Sequence, residues 1–457
     1  MLMVVSACTT TAETTTTTTV ADVTPSTEMP PAPPDSIEET DQTWTIDDHF
    51  AWFLGLLNGA TVTSDEYEAR FAQVFRDQVP FAQFTPLIDQ IIAGGQGWSI
   101  IDTETAGSTN LVVLIAPTGG EPVLRVLMNT DADQRIDGLF LQPGEPPTLD
   151  DPPESIDQAF ERLAALGTTG VLVAETTDGR CQVRSETNGR LPLPLGSMFK
   201  IYVLGAVADA VASGRLAWDD PVTLDEAYYS LPSGITQNEE PGSTLTVQEL
   251  ALRMISISDN TATDHLIALV GREAVEAIQT EMGHATPQVN LPFLTTRELF
   301  QLKLGDASAL EAFVGGDPES RRQVLAELAD VPLPDLSAAA GFTDPVAVLS
   351  TEWFASPLDI CEAWVYLAER ATESEPLVEI ATTNPGIPDE TGTWDAVWFK
   401  GGSEPGVLGM SWYLTISDGR SFVVAGSVAN EIEAFDETEA ILLFGAIRDL
   451  LAEEVSG

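Results

Sequence analysis

The spacing of apolar positions changes three times along the chain. Over residues 43–100 apolar side chains recur at helical intervals. TIDDHFAWFLGLLNG ends at Gly59, TSDEYEARFAQVF follows, and FTPLIDQIIAGG ends in a glycine pair. Thr63 stands three residues before Glu66, the spacing of a capping box, so a helix is predicted to begin there. Then the period shortens. GWSIIDTET, TNLVVLIAP, PVLRVLMNTD and IDGLFLQPG are short apolar or alternating runs divided by Gly, Pro, Asn and Asp. They predict an antiparallel meander. GEPPTLDDPPES (144–155) is a Pro- and Asp-rich linker. Beyond it come a helix (SIDQAFERLAALG), a strand (GVLVAETT) and a long helical stretch with polar loops. The last hundred residues return to strands, DAVWFKGGS, GMSWYLTIS and SFVVAGSV, closed by the helix EAILLFGAIRDLLAEE. Strands from both ends of a domain with helices between predict an α/β sandwich on an antiparallel sheet. The fold class is therefore α+β in two domains, 43–147 and 148–457.

Charge changes this picture more than length does. The 457 residues carry 20 Lys plus Arg against 71 Asp plus Glu, a formal net charge of −51. Such a surface repels phosphate backbones, which argues against nucleic acid as a partner, and it argues equally against a polybasic membrane patch. Only three residues are lysine, Lys200, Lys303 and Lys400. Where lysine is this scarce, a retained one carries more chemical information than usual.

The N-terminus reads as a processing signal. Val5-Ser6-Ala7-Cys8 resembles a bacterial lipobox, in which a signal is cut before a cysteine that is then lipidated; the apolar run before it is short. Residues 1–8 are read as a truncated lipoprotein signal and 9–42, rich in Thr and Pro, as a disordered tether. Lipidation at Cys8 would anchor the protein to the outer face of the cytoplasmic membrane, in the cell envelope. No run reaches the roughly 18 unbroken apolar residues of a membrane span. Export would permit a Cys181–Cys361 disulfide, although two separate buried thiols fit the sequence better. His49, His265 and His284 are scattered and form no ligand set with cysteine, so no metal and no organic cofactor is expected.

Three short motifs carry chemistry. In GSMFKIYVLGAVADAVASG, Ser197 and Lys200 stand one helical turn apart at the start of an apolar helix. A serine hydroxyl needs a neighbouring base to become a nucleophile, and a desolvated lysine of lowered pKa is such a base. In MISISDNTATDHLIALVG, Ser258, Asp259 and Asn260 precede a second apolar helix, where they serve equally well as a cap. In VWFKGGSEPGVL, Lys400 ends a strand before Gly401, Gly402 and Ser403, and the glycines allow close approach to the backbone.

Taken in order, Ser-x-x-Lys, Ser-Asp-Asn and Lys-x-Gly resemble the serine β-lactamases and penicillin-binding proteins, and ISDNTATDHLI and TTREL resemble class A segments. The interval 258 − 197 = 61 suits that family. The likeness covers about residues 160–457. The first domain resembles, more weakly, the cone-shaped fold of steroid isomerases and nuclear transport factor two. The whole layout is similar to a two-domain lipoprotein group related to a β-lactamase-like protein encoded with clavulanic acid biosynthesis. The resemblance implies that Ser197 is acylated, Lys200 is its base and Ser258 relays a proton. Asn260 would bind a substrate amide, and Lys400 would supply positive potential. The N–H groups of Ser197 and Ser403 would form an oxyanion hole. Gly401 and Gly402 would flank the substrate, and Tyr229, beside Tyr228 and SLPSG, would wall the site or simply pack. His265 reads as a satisfied core residue and Lys303 as a surface one.

Two departures shape the expected activity. Class A enzymes use an omega-loop glutamate to activate the deacylating water. Here GHATPQVNLPFL holds no acidic residue, and Glu281 lies too early and reads as helix surface. One general base is worth roughly 10²–10⁴-fold. Gly401 stands where the family has Thr or Ser, which removes a hydrogen bond to a substrate carboxylate worth about 1–3 kcal/mol. The expectation is an exported serine hydrolase with weak β-lactam or ester turnover on a β-lactam, ester or D-alanyl peptide. The alternative is a penicillin-binding or peptide-binding sensor with little turnover.

Overall fold

The computed structural model describes residues 44–456 apart from 119, 121, 232, 335–341 and 388–390. The lipobox with Cys8 and the tether lie outside the described residues. The chain begins with α1 (Ile46–Leu57), α2 (Ser64–Arg70), α3 (Gln73–Gln78) and α4 (Phe81–Ile92). These cover a four-stranded antiparallel meander of β1 (Ser99–Ala106), β2 (Asn110–Ala116), β3 (Leu124–Thr130) and β4 (Ile136–Pro143). Phe50, Phe53, Tyr67, Phe71 and Phe84 pack with Val113, Val126 and Met128 between helices and sheet. The single helix expected over 64–75 is instead two. Phe71 turns extended at φ −98°, ψ 137°, and the Ala72 N–H donates to the Ile136 carbonyl at 2.8 Å. Pairing with a distant strand overrides local propensity there.

The second domain is an antiparallel sheet between two helical layers. Its chain order is α5 (Ile156–Leu166), β5 (Thr168–Thr177), β6 (Arg180–Thr187), β7 (Leu193–Pro194) and α6 (Lys200–Ala212). Then come β8 (Pro221–Thr223), β9 (Thr244–Thr246), α7 (Val247–Ser256), α8 (Asn260–Val270), α9 (Arg272–Glu281) and α10 (Thr296–Leu304). They are followed by α11 (Ala307–Gly315), α12 (Pro318–Leu328), β10 (Phe354–Ala355), α13 (Pro357–Ala371) and α14 (Glu375–Thr382). Last are β11 (Ala396–Glu404), β12 (Val407–Thr415), β13 (Ser421–Ala429) and α15 (Glu437–Ser456). The sheet runs β11-β12-β13-β5-β6, so the first and last segments of the domain do meet in one sheet, with β11 at its edge. Phe160, Leu163, Leu443, Phe444 and Ile447 of α5 and α15 pack on one face. α6, the most buried helix, packs with α7, α8 and α13 on the other.

Cys181 and Cys361 are bonded to each other, not separate thiols, and tie the edge strand β6 to α13. Their sequence neighbourhoods give no hint of this, because β6 meets α13 only once the sheet has formed. No helix of the described residues is long and apolar enough to cross a membrane.

Caps fix several helix starts. Asp359 closes a buried box with Ser356, accepting its N–H at 2.8 Å and its hydroxyl at 2.7 Å, and its second oxygen takes the Ala285 N–H at 2.9 Å. Thr45 and Asp48 form the same box in an exposed setting. Removing a buried cap orphans several donors, whereas an exposed one is replaced by water. Asp359→Ala is therefore expected to cost about 2–4 kcal/mol and Asp48→Ala about 1 kcal/mol in urea unfolding. Equal losses would contradict this reading.

Candidate active site

Ser197 lies in a short 3-10 turn, Gly196–Phe199, that leads directly into α6. Gly196 adopts φ 48°, and its position shows why glycine stands there: a Cβ would lie 2.9 Å from the Ser403 nitrogen. The turn is held from below. The Leu195 N–H donates to the Trp353 carbonyl at 2.9 Å, and the Phe199 ring stacks on Trp353 with centroids 3.6 Å apart. Ser197 is half-buried, and its hydroxyl makes no hydrogen bond among the described residues.

Lys200, the first residue of α6, is fully buried. Its Nζ donates to the Ser258 carbonyl, to Ser258 Oγ at 3.1 Å and to Asn260 Oδ1 at 2.7 Å. Lys400, on the edge strand β11, is 3% exposed and donates to the same Ser258 Oγ at 3.1 Å and to the Gly401 carbonyl at 2.6 Å. One serine hydroxyl thus bridges two buried lysines from opposite walls. Burial holds the Lys200 ammonium well below the ordinary lysine range and the Lys400 charge lowers it further, against the opposing pull of Asp259 and Asp264. Burial brings Lys400 down to about 7. Both lysines therefore give up a proton more readily than an exposed lysine does.

Ser258 is held in a conformation that L residues seldom adopt, φ 57°, between α7 and α8. Such a residue costs about 1–3 kcal/mol and persists where its surroundings over-determine it. The surroundings here are explicit. Ser233 Oγ donates to the Ser258 carbonyl at 2.7 Å, and the Asn260 N–H donates to the Ser233 carbonyl at 3.0 Å. Buried Asp259 caps α8 through the Ala262 N–H at 2.8 Å and takes the Ile235 and Thr236 N–H groups, each at 2.8 Å. Gly234 is glycine for the same reason, since a Cβ would fall 2.3 Å from the Asp259 carboxyl carbon. Asn260 Nδ2 donates to the Leu231 carbonyl at 3.0 Å, so its amide is anchored at both ends.

Gly402 is the close contact between β11 and the Ser197 turn. A Cβ there would lie 2.1 Å from the Ser197 nitrogen and 2.5 Å from the Met198 nitrogen. At Gly401 a Cβ would meet the Phe399 ring at 2.9 Å, so that ring fills the space beside the position.

Other expected residues sit apart from this cluster. Tyr229 donates its hydroxyl to the Glu239 carbonyl at 2.8 Å, and its ring packs edge-on to His265. Among the described residues none of its polar contacts reaches Ser197, Lys200, Ser258 or Lys400. Tyr228 is 40% exposed. His265 is buried, accepting the Asp225 N–H at 2.9 Å on Nε2, which leaves Nδ1–H to donate to the Thr261 carbonyl at 2.7 Å. Segment 283–294 is tied to the floor of the domain, where Asn290 pairs with both backbone groups of Phe354. Lys303 corrects the sequence reading: its side chain is not at the surface but fully buried, in an ion cluster with Glu352 and Glu404. Sequence reasoning also missed Asp264, 1% exposed, which accepts the Thr296 and Arg297 N–H groups at 2.8 and 2.9 Å. Burial raises its pKa to about 7. The scarcity of lysine was the available signal for Lys303; Asp264 offered none.

The two glycines predict different costs. Gly402→Ala presses a Cβ into backbone, which cannot yield without moving the turn, and is expected to lose about 1–3 kcal/mol in denaturant unfolding. Gly401→Ala meets a ring that can swing and is expected to lose less. The opposite order would contradict the packing described.

Residues 154–323 match the Beta-lactamase enzyme family, a span that includes Ser197, Lys200, Ser258 and Asn260 and stops short of Lys400. No curated protein matches the chain. Among solved structures, a β-lactamase from Sphaerobacter thermophilus is similar at 23% identity, covering 66% of this chain and 96% of that one, with a TM-score of 0.45. A mutant of PBP-A, captured as an acyl-enzyme complex with penicillin G, is 18% identical over 66% and 96% of the two chains, with a TM-score of 0.45. An ancestral class A β-lactamase is 18% identical over 66% and 100%, also with a TM-score of 0.45. Over residues 154–323 the second domain is thus similar to the serine β-lactamase and penicillin-binding-protein-like superfamily.

Proposed function

We propose that the second domain is a serine hydrolase working through an acyl-Ser197 intermediate. The observation that carries this reading is the Ser258 hydroxyl held between two buried lysines beside the Ser197 turn. An ammonium on Lys200 spends its three protons on the Ser258 carbonyl, Ser258 Oγ and Asn260 Oδ1. Its loss of one proton, which burial favours, frees a lone pair for the Ser197 proton. Ser197 then attacks the substrate carbonyl, and the N–H groups of Ser197 and Ser403 take the oxyanion. Ser258 passes the proton to the leaving group while Lys400 holds positive charge beside it. Asn260 Oδ1 keeps a second lone pair for a substrate N–H after serving Lys200.

Release of the acyl group is the slow step in this proposal. The 283–294 stretch offers no carboxylate to activate water, and the loss is roughly 10²–10⁴-fold. Gly401 supplies no hydroxyl for a substrate carboxylate, and the Phe399 ring fills that side. The substrates that suit such a site are β-lactams and esters turned over weakly. The small first domain, cone-like in its helices-then-meander order, serves recognition. Cys8 would be lipidated, holding the enzyme at the outer face of the membrane.

The test is turnover of nitrocefin and p-nitrophenyl esters by the wild type and by Ser197→Ala. Slow turnover abolished by Ser197→Ala is expected; equal rates in the two would sink the proposal. The pH profile of kcat/KM carries a second expectation. Activity requires Lys200 neutral and Lys400 charged. It rises as pH climbs through the depressed pKa of Lys200 and falls above about 7 as Lys400 loses its proton. A rate still climbing at pH 9 would contradict that assignment.

A further inference from the structure

Lys303 is retained in a chain with only three lysines, yet neither the nucleophile nor the proton relay uses it. It stands near the end of α10 with its side chain fully buried. Its Nζ lies 3.4 Å from Glu352 Oε1 and pairs more closely with Glu404 Oε1. The two carboxylates are 1% and 8% exposed. Glu352 Oε2 accepts the Trp353 N–H at 3.0 Å, and Glu404 Oε2 is buried with no partner.

A buried ion cluster is a poor stabiliser, because desolvation offsets most of the attraction, and an apolar replacement often serves as well. Its position gives another reason for it. Glu404 directly follows Ser403. Glu352 directly precedes Trp353, whose carbonyl holds Leu195 and whose ring holds Phe199, the residues bracketing the Ser197 turn. Lys303 therefore joins the two backbone segments that face each other at Gly402 and Ser197. Oxyanion donors must sit about 2.7–3.1 Å from the developing charge. A misplacement of about 1 Å can cost roughly 10²-fold.

We propose that Lys303 is a positioning residue for the oxyanion hole, gripping Glu404 and Glu352 so that the Ser197 and Ser403 N–H groups keep a fixed separation. The proposal rests on the reading that Ser197 is acylated and that these two N–H groups hold the oxyanion. Burial and the Glu352 charge keep the Glu404 carboxyl well above the usual carboxylate range, against the pull of Lys303.

The test compares the full chain with Lys303→Met, using p-nitrophenyl acetate and its thionoester. Sulfur is a weak acceptor for a hole built for oxygen, so an intact hole discriminates between the two esters. Lys303→Met is expected to lower kcat on the oxygen ester about 10–100-fold with KM nearly unchanged, and to shrink the oxygen-to-sulfur rate ratio toward that of the uncatalysed reaction. A merely structural role would lower the active fraction without moving that ratio. Where Lys303→Met does not fold, Lys303→Met/Glu404→Gln, which lessens the buried charge imbalance, carries the same readouts. A folded variant with wild-type kcat and ratio overturns the positioning role alone. A wild type that forms no acyl-Ser197 overturns the underlying reading and this role with it.

Discussion

Two lysines buried against one serine hydroxyl are the constraint on which the second domain turns. Lys200 and Lys400 each donate to Ser258 Oγ at 3.1 Å, and both residues are almost wholly buried. Two ammonium groups this close in a low dielectric repel strongly, and each is costly to desolvate even alone. The arrangement persists only if protons are shed more readily than from ordinary lysines and if the geometry is enforced from outside. That enforcement accounts for much of the surrounding architecture. It includes the left-handed Ser258, the Asp259 carboxylate locking loop to helix, and the Ser233 hydroxyl on the Ser258 carbonyl.

The sandwich delivers these groups from distant parts of the chain. α6 brings Lys200, the α7–α8 junction brings Ser258, and the edge strand β11 brings Lys400. An edge strand suits the task because one side of its backbone is free of sheet pairing. Gly402 lets that side lie against the Ser197 turn, and no larger residue fits. On the far side of the same contact, Lys303 and its two glutamates fasten strand and turn together. All three lysines of this strongly acidic chain are thus buried in one neighbourhood, around the Ser197 turn and the edge strand beside it.

The parts of this arrangement that were legible in the sequence are those encoded locally. The Ser197–Lys200 spacing is one helical turn, and the apolar periods announced α1, α4, α5 and the β11–β13 strands. The order of the three motifs placed Ser258 and Lys400 beside them. What escaped depends on tertiary contacts. The break between α2 and α3 follows from Ala72 bonding to Ile136. β6 is a mostly exposed edge strand and so carries no apolar alternation. The Cys181–Cys361 bond joins that strand to α13, and neither partner's neighbourhood points to the other. Lys303 looked like a surface lysine because its partners, Glu352 and Glu404, are far from it in sequence.

The most direct test of the account is intact-protein mass spectrometry of the full chain mixed with penicillin G and followed over time. The account predicts an adduct of the whole penicillin that maps to Ser197 and clears slowly, because in the proposed mechanism Lys200 activates Ser197 and the 283–294 stretch offers no carboxylate to activate water. An adduct that never forms, or that maps to another residue, would contradict the assignment of Ser197 as the nucleophile of this site.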